Sequence, residues 1–225
     1  MDLQLFQDRL GYHFHDESLL IQALSHRSYA FEHNLGGDNQ RLEFLGDAIL
    51  DFIIGEALYL QYSDIQEGEL SRLRSRMVCE TALCQLAQKL DFESNILMGK
   101  GEVAAGGLAR PGTLADAYEA VIGAVYLDGG IDPARQYILR HHADYLRDPD
   151  GNWMAGDAKT RLQEVVQAKH LVVRYELIQQ SGPPHSPAFE IGVFLDDTCI
   201  GKGVGHNKKE AQQAAAADAL EHYFR

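Results

Sequence analysis

The segment QRLEFLGDAILDF, residues 40–52, sets carboxylates at Glu43, Asp47 and Asp51, four apart, in an otherwise apolar run. At about 100° per residue, a helix gathers Gln40, Glu43, Asp47 and Asp51 into one narrow polar sector. Leu42, Leu45, Ala48, Ile49, Phe52 and Ile53 take the broad opposite side. The bland account of the acids is the solvated face of an amphipathic helix. Against it, like charges at i, i+4 repel by roughly 0.2–0.5 kcal/mol per pair. No Lys or Arg shares the sector to offset them. A second pair, Asp116 and Glu119, lies in TLADAYEAVIGAVYL, residues 113–127. That run is apolar nearly all round and predicts a buried helix. Gly123 is one turn further along the same face and leaves room beside the acids. Thr113-x-x-Asp116 also fits a capping box, which accounts for Asp116 but not for Glu119.

Carboxylates buried together need a cation. A bound divalent metal resolves both puzzles, and all-oxygen ligands suit Mg²⁺ or Mn²⁺ rather than zinc. Two helices giving a pair each make a four-acid cluster for one or two ions about 3.5–4 Å apart, the arrangement used for phosphodiester hydrolysis. Competing chemistry is thin. The histidines show no HExxH spacing, and His13/His15 and His141/His142 read as surface or capping residues. Ser25-His26 and Ser28 lack a GxSxG context. The Gly-rich stretch 98–112 lacks GxxxxGK[ST] and a preceding strand, so it reads as a mobile loop and no nucleotide cofactor is expected.

The elements that must position these acids are helical. SLLIQALSH, the segment Arg41 to Tyr62, SRLRSRMVCETALCQLAQKL and the 113–127 run all carry helical apolar spacing. The break RDPDGNWMAGD, 147–157, is rich in Asp, Gly and Pro and reads as a linker over 149–156. Beyond it the period changes. Lys159–Lys169 predicts a helix, VVRYELIQQ, AFEIGVFL and TCIGKGVG predict three strands, and KKEAQQAAAADALEHYF predicts a last helix. The expected fold is thus an all-α domain over 1–148 and a small α+β domain, α-β-β-β-α, over 157–225.

Net charge is −13, of which residues 1–148 carry −11 and 149–225 carry −2. Such an acidic chain is unpromising for nucleic acid, yet the uneven spread points to separate jobs for the two parts. Lys208 and Lys209 stand at the start of the last helix, where the helix dipole already favours an anion and where lysine opposes helix stability. They read as a phosphate clamp. On the first helix of this domain Leu162, Val165 and Val166 turn inward. Thr160, Gln163, Glu164 and Gln167 turn outward, as short polar groups suited to an RNA minor groove. The three cysteines form no CxxC, which predicts small core residues in a reducing cytosol. No run is apolar enough for a membrane span, and the first residues show no signal-peptide pattern.

Taken together, RLEFLGDAIL (41–50), DAYEAVIGAVYLDGG (116–130) and TRLQEVVQAKH with GVGHNKKEAQQAAAADAL resemble the bacterial ribonuclease III family over essentially the whole chain. The resemblance implies a cytoplasmic, homodimeric endonuclease of double-stranded RNA. Glu43, Asp47, Asp116 and Glu119 match the family's metal-binding catalytic acids, with Asp47 and Glu119 as the sensitive points. Cleavage leaves 5′-phosphate and 3′-hydroxyl ends with a short 3′ overhang. Expected targets are ribosomal RNA precursors, with messenger, transfer and small RNAs besides. RNA contacts are expected from Thr160, Gln163 and Glu164, from the Pro184-His185 loop, and from Lys208, Lys209 and Gln212. Two positions depart from the pattern. Gln40 replaces the usual Glu before the signature arginine, and Gln212 stands where a third basic residue is common. The competing readings are a regulator that binds duplex RNA without cutting it and a structural dimer; intact acids at all four positions argue against both. Asp51 stays outside the set, as a solvated helix charge.

Overall fold

The computed structural model describes residues 2–148, 158–169, 171–182 and 187–224. The predicted linker 149–156 and the Pro184-His185 loop lie outside them. The chain divides into two compact units, Met1–Trp153 and Met154–Arg225.

The first unit is helical: α1 (Leu3–Leu10), α2 (Glu17–Leu24), α3 (Arg27–Glu32), α4 (Gln40–Gln61), α5 (Glu67–Met77), α6 (Glu80–Lys89), α7 (Lys100–Ala104), α8 (Pro111–Gly129), α9 (Ile131–His141) and α10 (Ala143–Arg147). Helix α8 is the axis. Leu114, Tyr118, Val121, Ile122 and Val125 are all fully buried, as a helix apolar on every side requires. It packs against α4, α6, α2 and α9. Pro111 opens it at the first helical position, where its missing N–H costs nothing. Arg110 is the N-cap, so Thr113 is not one, and the capping-box account of Asp116 falls away. At the far end Asp128, its side chain 2% exposed, accepts from Tyr12 Oη at 2.6 Å and from the backbone N–H of His15 and Asp16 at 3.0 and 2.8 Å. Burial pushes this carboxyl up, but these donors hold it down to about 2. It ties the segment between α1 and α2 to the end of α8.

Several expectations are corrected. SRLRSRMVCETALCQLAQKL is two helices, because the backbone turns extended at Cys79. Residues 98–112 form α7 and a 3₁₀ turn rather than an unstructured loop. In α4, Phe52 and Ala48 are exposed, not inward. Phe44, Phe52, Tyr59 and Leu60 are 80%, 55%, 71% and 73% exposed. His142 is fully buried rather than a surface residue, with its ring against Tyr118 and Tyr145. Cys84 is buried, but Cys199 is exposed.

The second unit is α11 (Ala158–Ala168), β1 (Val173–Ser181), β2 (Ala188–Leu195), β3 (Thr198–Gly205) and α12 (Lys208–His222). The strands form an antiparallel sheet in the order β1-β2-β3. Val173 pairs with Leu195 and Ser181 with Ala188 across the first ladder, and Leu195 with Thr198 across the second. Asp196 takes φ +50° in the β2–β3 turn, a conformation Asp tolerates. Helix α12 lies very close on β3. A Cβ at Gly203 would come 2.1 Å from the Ala215 nitrogen, and Ala211, Ala215, Ala216 and Ala219 are fully buried. Small residues on both partners make that approach possible. Leu162 and Val166 of α11 complete the core.

Candidate metal and nucleic-acid sites

The acids meet because two glycines let α4 and α8 touch backbone to backbone. A Cβ on Gly46 would lie 1.8 Å from the Glu119 carbonyl oxygen, and one on Gly123 would lie 2.3 Å from the Leu42 carbonyl oxygen. Both glycines are buried. Glu43 and Asp47 flank Gly46 in sequence, and Glu119 is one turn before Gly123. The crossing point therefore carries the carboxylates with it. Gly123 is legible from sequence; Gly46 is the partner that sequence reasoning missed.

Glu43, Asp116 and Glu119 each offer an oxygen within 4.8 Å of the other two. Asp47 is exposed and stands outside that triple, yet it is the first of the charges that raise Glu119. Burial, then Asp47, Asp116 and Glu43, push the Glu119 carboxyl up to about 8. Burial and then Asp116 and Asp47 raise Glu43. Burial and then Glu80 raise Asp116. Three carboxyls displaced upward together mark a place where negative charge is crowded and desolvated. An oxygen-only donor set of this kind fits a hard divalent cation such as Mg²⁺ or Mn²⁺.

Beside the acids lies a segment that sequence reasoning set aside. His26 caps α3, its Nδ1 receiving the Ser28 N–H at 3.2 Å and lying 2.8 Å from Ser28 Oγ. Ser28 Oγ in turn accepts from the Gly99 N–H at 2.9 Å. Burial lowers the His26 pKa, against the opposing pull of Glu102 and Asp116. Asp51, expected to be simply solvated, lies 3.7 Å from Arg74 Nε of α5. Gln40 is exposed and lines a recess with Gln22, Arg41, Phe44, Leu45 and Leu127.

In the second unit Lys208 and Lys209 are the first two residues of α12, both exposed, behind an Asn207 cap that accepts the Glu210 N–H. Gln163 and Gln167 are exposed on α11, and Leu162 and Val166 are buried, with Val165 intermediate. Gln212 is partly buried and accepts from Lys159 Nζ at 2.8 Å. Thr160 and Glu164 belong to α11, but their side chains lie outside the described residues, as do Pro184 and His185.

A family model described as Ribonuclease-III-like matches residues 16–146, and one described as Double-stranded RNA binding motif matches 158–223. The chain is similar to Ribonuclease 3 of Carboxydothermus hydrogenoformans, at 46% identity over 94% of this chain and 92% of that protein. It is similar to Ribonuclease 3 of Desulforamulus reducens at 45% identity, over 95% of this chain and 88% of that protein. Among solved structures it resembles the nuclease domain of ribonuclease III from Campylobacter jejuni, described for flexibility in the region involved in dimer formation. There the TM-score is 0.59 and the identity 39%, over 62% of this chain and 95% of that one.

Proposed function

Because the chain belongs to the ribonuclease III family, we propose that it is an endonuclease of double-stranded RNA, with a catalytic domain over 1–148 joined through 149–156 to an RNA-binding domain over 157–225. The observation that carries the catalytic part is the crowding of Glu43, Asp116 and Glu119 at the α4–α8 crossing, with Asp47 beside them. These four acids hold Mg²⁺ in this reading, and Mn²⁺ can replace it. An ion held by these acids would supply activation of a water and neutralisation of charge on the leaving oxygen, and the products would carry 5′-phosphate and 3′-hydroxyl ends. The chain's own part is positional. The glycine contact fixes the spacing of the two acid pairs, and partial burial raises the Glu119 carboxyl. Lys208, Lys209 and the outward face of α11 grip phosphates and 2′-hydroxyls on the duplex, together with Gln212 and the Pro184-His185 loop.

A homodimer is part of the same proposal. Phe44, Phe52 and Tyr59 form an exposed apolar row along α4, the kind of surface that a partner subunit covers. Two subunits then bring two acid clusters to opposite strands, giving short 3′ overhangs. Precursors of ribosomal RNA, and some messenger, transfer and small RNAs, are the proposed substrates in the cytoplasm.

The test is cleavage of an end-labelled RNA duplex with Mg²⁺ and with EDTA, beside the matching single strand and DNA duplex. Metal-dependent cutting of the RNA duplex alone is expected. Tight binding without cutting would favour the non-cleaving regulator instead.

A further inference from the structure

The proposed RNA face has a gap in its charge where α12 carries Gln212 one turn after Lys208, and the structure places a cation there from another helix. Lys159, exposed in the first turn of α11, reaches across so that its Nζ lies 2.8 Å from Gln212 Oε1. Its ammonium also sits over the Tyr175 ring, 5.0 Å from the centroid. Its own backbone N–H donates to Gln213 Oε1 at 3.0 Å, so both ends of the residue are tied to α12. We infer that Lys159 is a phosphate-contacting residue, held in place by Gln212 and Tyr175, that supplies the third cation of the duplex-binding face. The inference rests on the reading of Lys208-Lys209 and the α11 face as that surface.

Three observations carry it. The first is placement. Lys159, Gln163 and Gln167 fall at i, i+4 and i+8 and are all exposed, so they form one row along α11. Lys208 and Gln212 fall at i, i+4 along α12. The Lys159–Gln212 hydrogen bond is where the two rows join. The second is charge. Gln212 and Tyr175 are neutral partners, so they orient the ammonium without cancelling it. Arg174, by contrast, is taken up by Glu176 and Asp197. The third is donor capacity. An ammonium has three N–H groups, and one bond to Gln212 leaves others for a phosphate oxygen. A lysine already held in one geometry loses less side-chain entropy on binding than a free one.

Phosphate contacts show themselves in salt dependence, because each neutralised phosphate releases condensed counterion. The experiment measures binding of the full-length protein to a short RNA duplex across a salt series in EDTA, where no metal-dependent cleavage competes with binding. Lys159→Gln keeps an amide donor for Gln212 but removes the charge. It is expected to lower affinity by roughly five- to tenfold at physiological salt and to make the slope of log K against log salt shallower by about 1. Thermal unfolding should be unchanged. Adding Gln212→Lys to that variant should restore the slope, since the new ammonium occupies the same junction. A wild-type slope for Lys159→Gln overturns the inference, and so does a slope that Gln212→Lys fails to restore. Lys208→Gln with Lys209→Gln is the control on the underlying reading. If that pair loses binding and Lys159→Gln does not, only the inference falls. If neither does, the assigned face falls with it.

Discussion

Glu119 is the acid displaced furthest, to about 8, by burial first and then by Asp47, Asp116 and Glu43. Exchange of Glu119 for Gln keeps the shape and removes the charge. Cleavage is expected to fall by at least about 10²-fold while duplex affinity in EDTA holds, the pattern of a lost metal ligand. Unchanged cutting would strike Glu119 from the site. The shift also has a consequence for stability. From the ordinary value of 4.5 up to about 8, folded Glu119 keeps a proton that the unfolded chain has released. The contribution of Glu119 to metal-free stability is therefore complete below the lower value and is lost as pH rises through the upper one. Melting temperatures in EDTA at pH 5, 7 and 8.5 should show the decline, Mg²⁺ should reverse it at the alkaline end, and Glu119→Gln should flatten it. His142 acts in the opposite sense. Burial lowers it to about 4, so its contribution is complete above its ordinary 6.5 and is lost as pH falls towards 4. His142→Phe should reduce the acid-side slope of the melting curve against pH.

Helix α4 shows which parts of an element are legible beforehand. Its 3.6-residue period and its acidic stripe are written in the sequence, because burial of Leu42, Ile49, Leu50 and Ile53 demands that period. The inward placement expected for Phe52 fails. Periodicity reports only that a face is apolar, and an apolar face turned to solvent looks the same in sequence as one turned to the core. The break at Cys79 is hidden for a different reason. No Gly or Pro marks it, and tertiary packing of α5 and α6 sets it instead. His142 beside His141 looks solvent-seeking, yet its ring fits among tyrosines of the core. The meeting of Glu43, Asp116 and Glu119 is legible from spacing because carboxylates set into apolar helices are conspicuous. The glycine contact that gathers them needs both helices in view. Gly46→Ala tests it: a methyl 1.8 Å from the Glu119 carbonyl oxygen must push the helices apart. A loss of about 2–4 kcal/mol is expected in chemical denaturation, with weaker metal binding in what still folds. A loss below about 0.5 kcal/mol would mean the helices are free to separate.

Across the whole molecule the charge is arranged by task. The first unit holds nearly all the net negative charge, and the second is close to neutral, with Lys208 and Lys209 exposed at the start of α12. With grip proposed for the second unit and cutting for the acid cluster of the first, the two should respond differently to metal. Association should be equally visible. Phe44, 80% exposed on α4, changed to Asp should shift sedimentation from dimer to monomer and reduce the cutting of both strands while circular dichroism stays unchanged. A dimer that persists would place the interface elsewhere. The contact between Gly46 and Gly123 has one more effect, on how forgiving the chain is of change. In a joint with slack, a shortened side chain is met by a neighbour that moves in. Here the two backbones are already touching, so neither helix can advance. A modest exchange such as Glu119→Asp leaves its oxygen short of the shared point with nothing to close the distance. The tight crossing thus makes the site intolerant of shortening at its glutamates, and Glu43→Asp and Glu119→Asp should each lose most of the cutting activity.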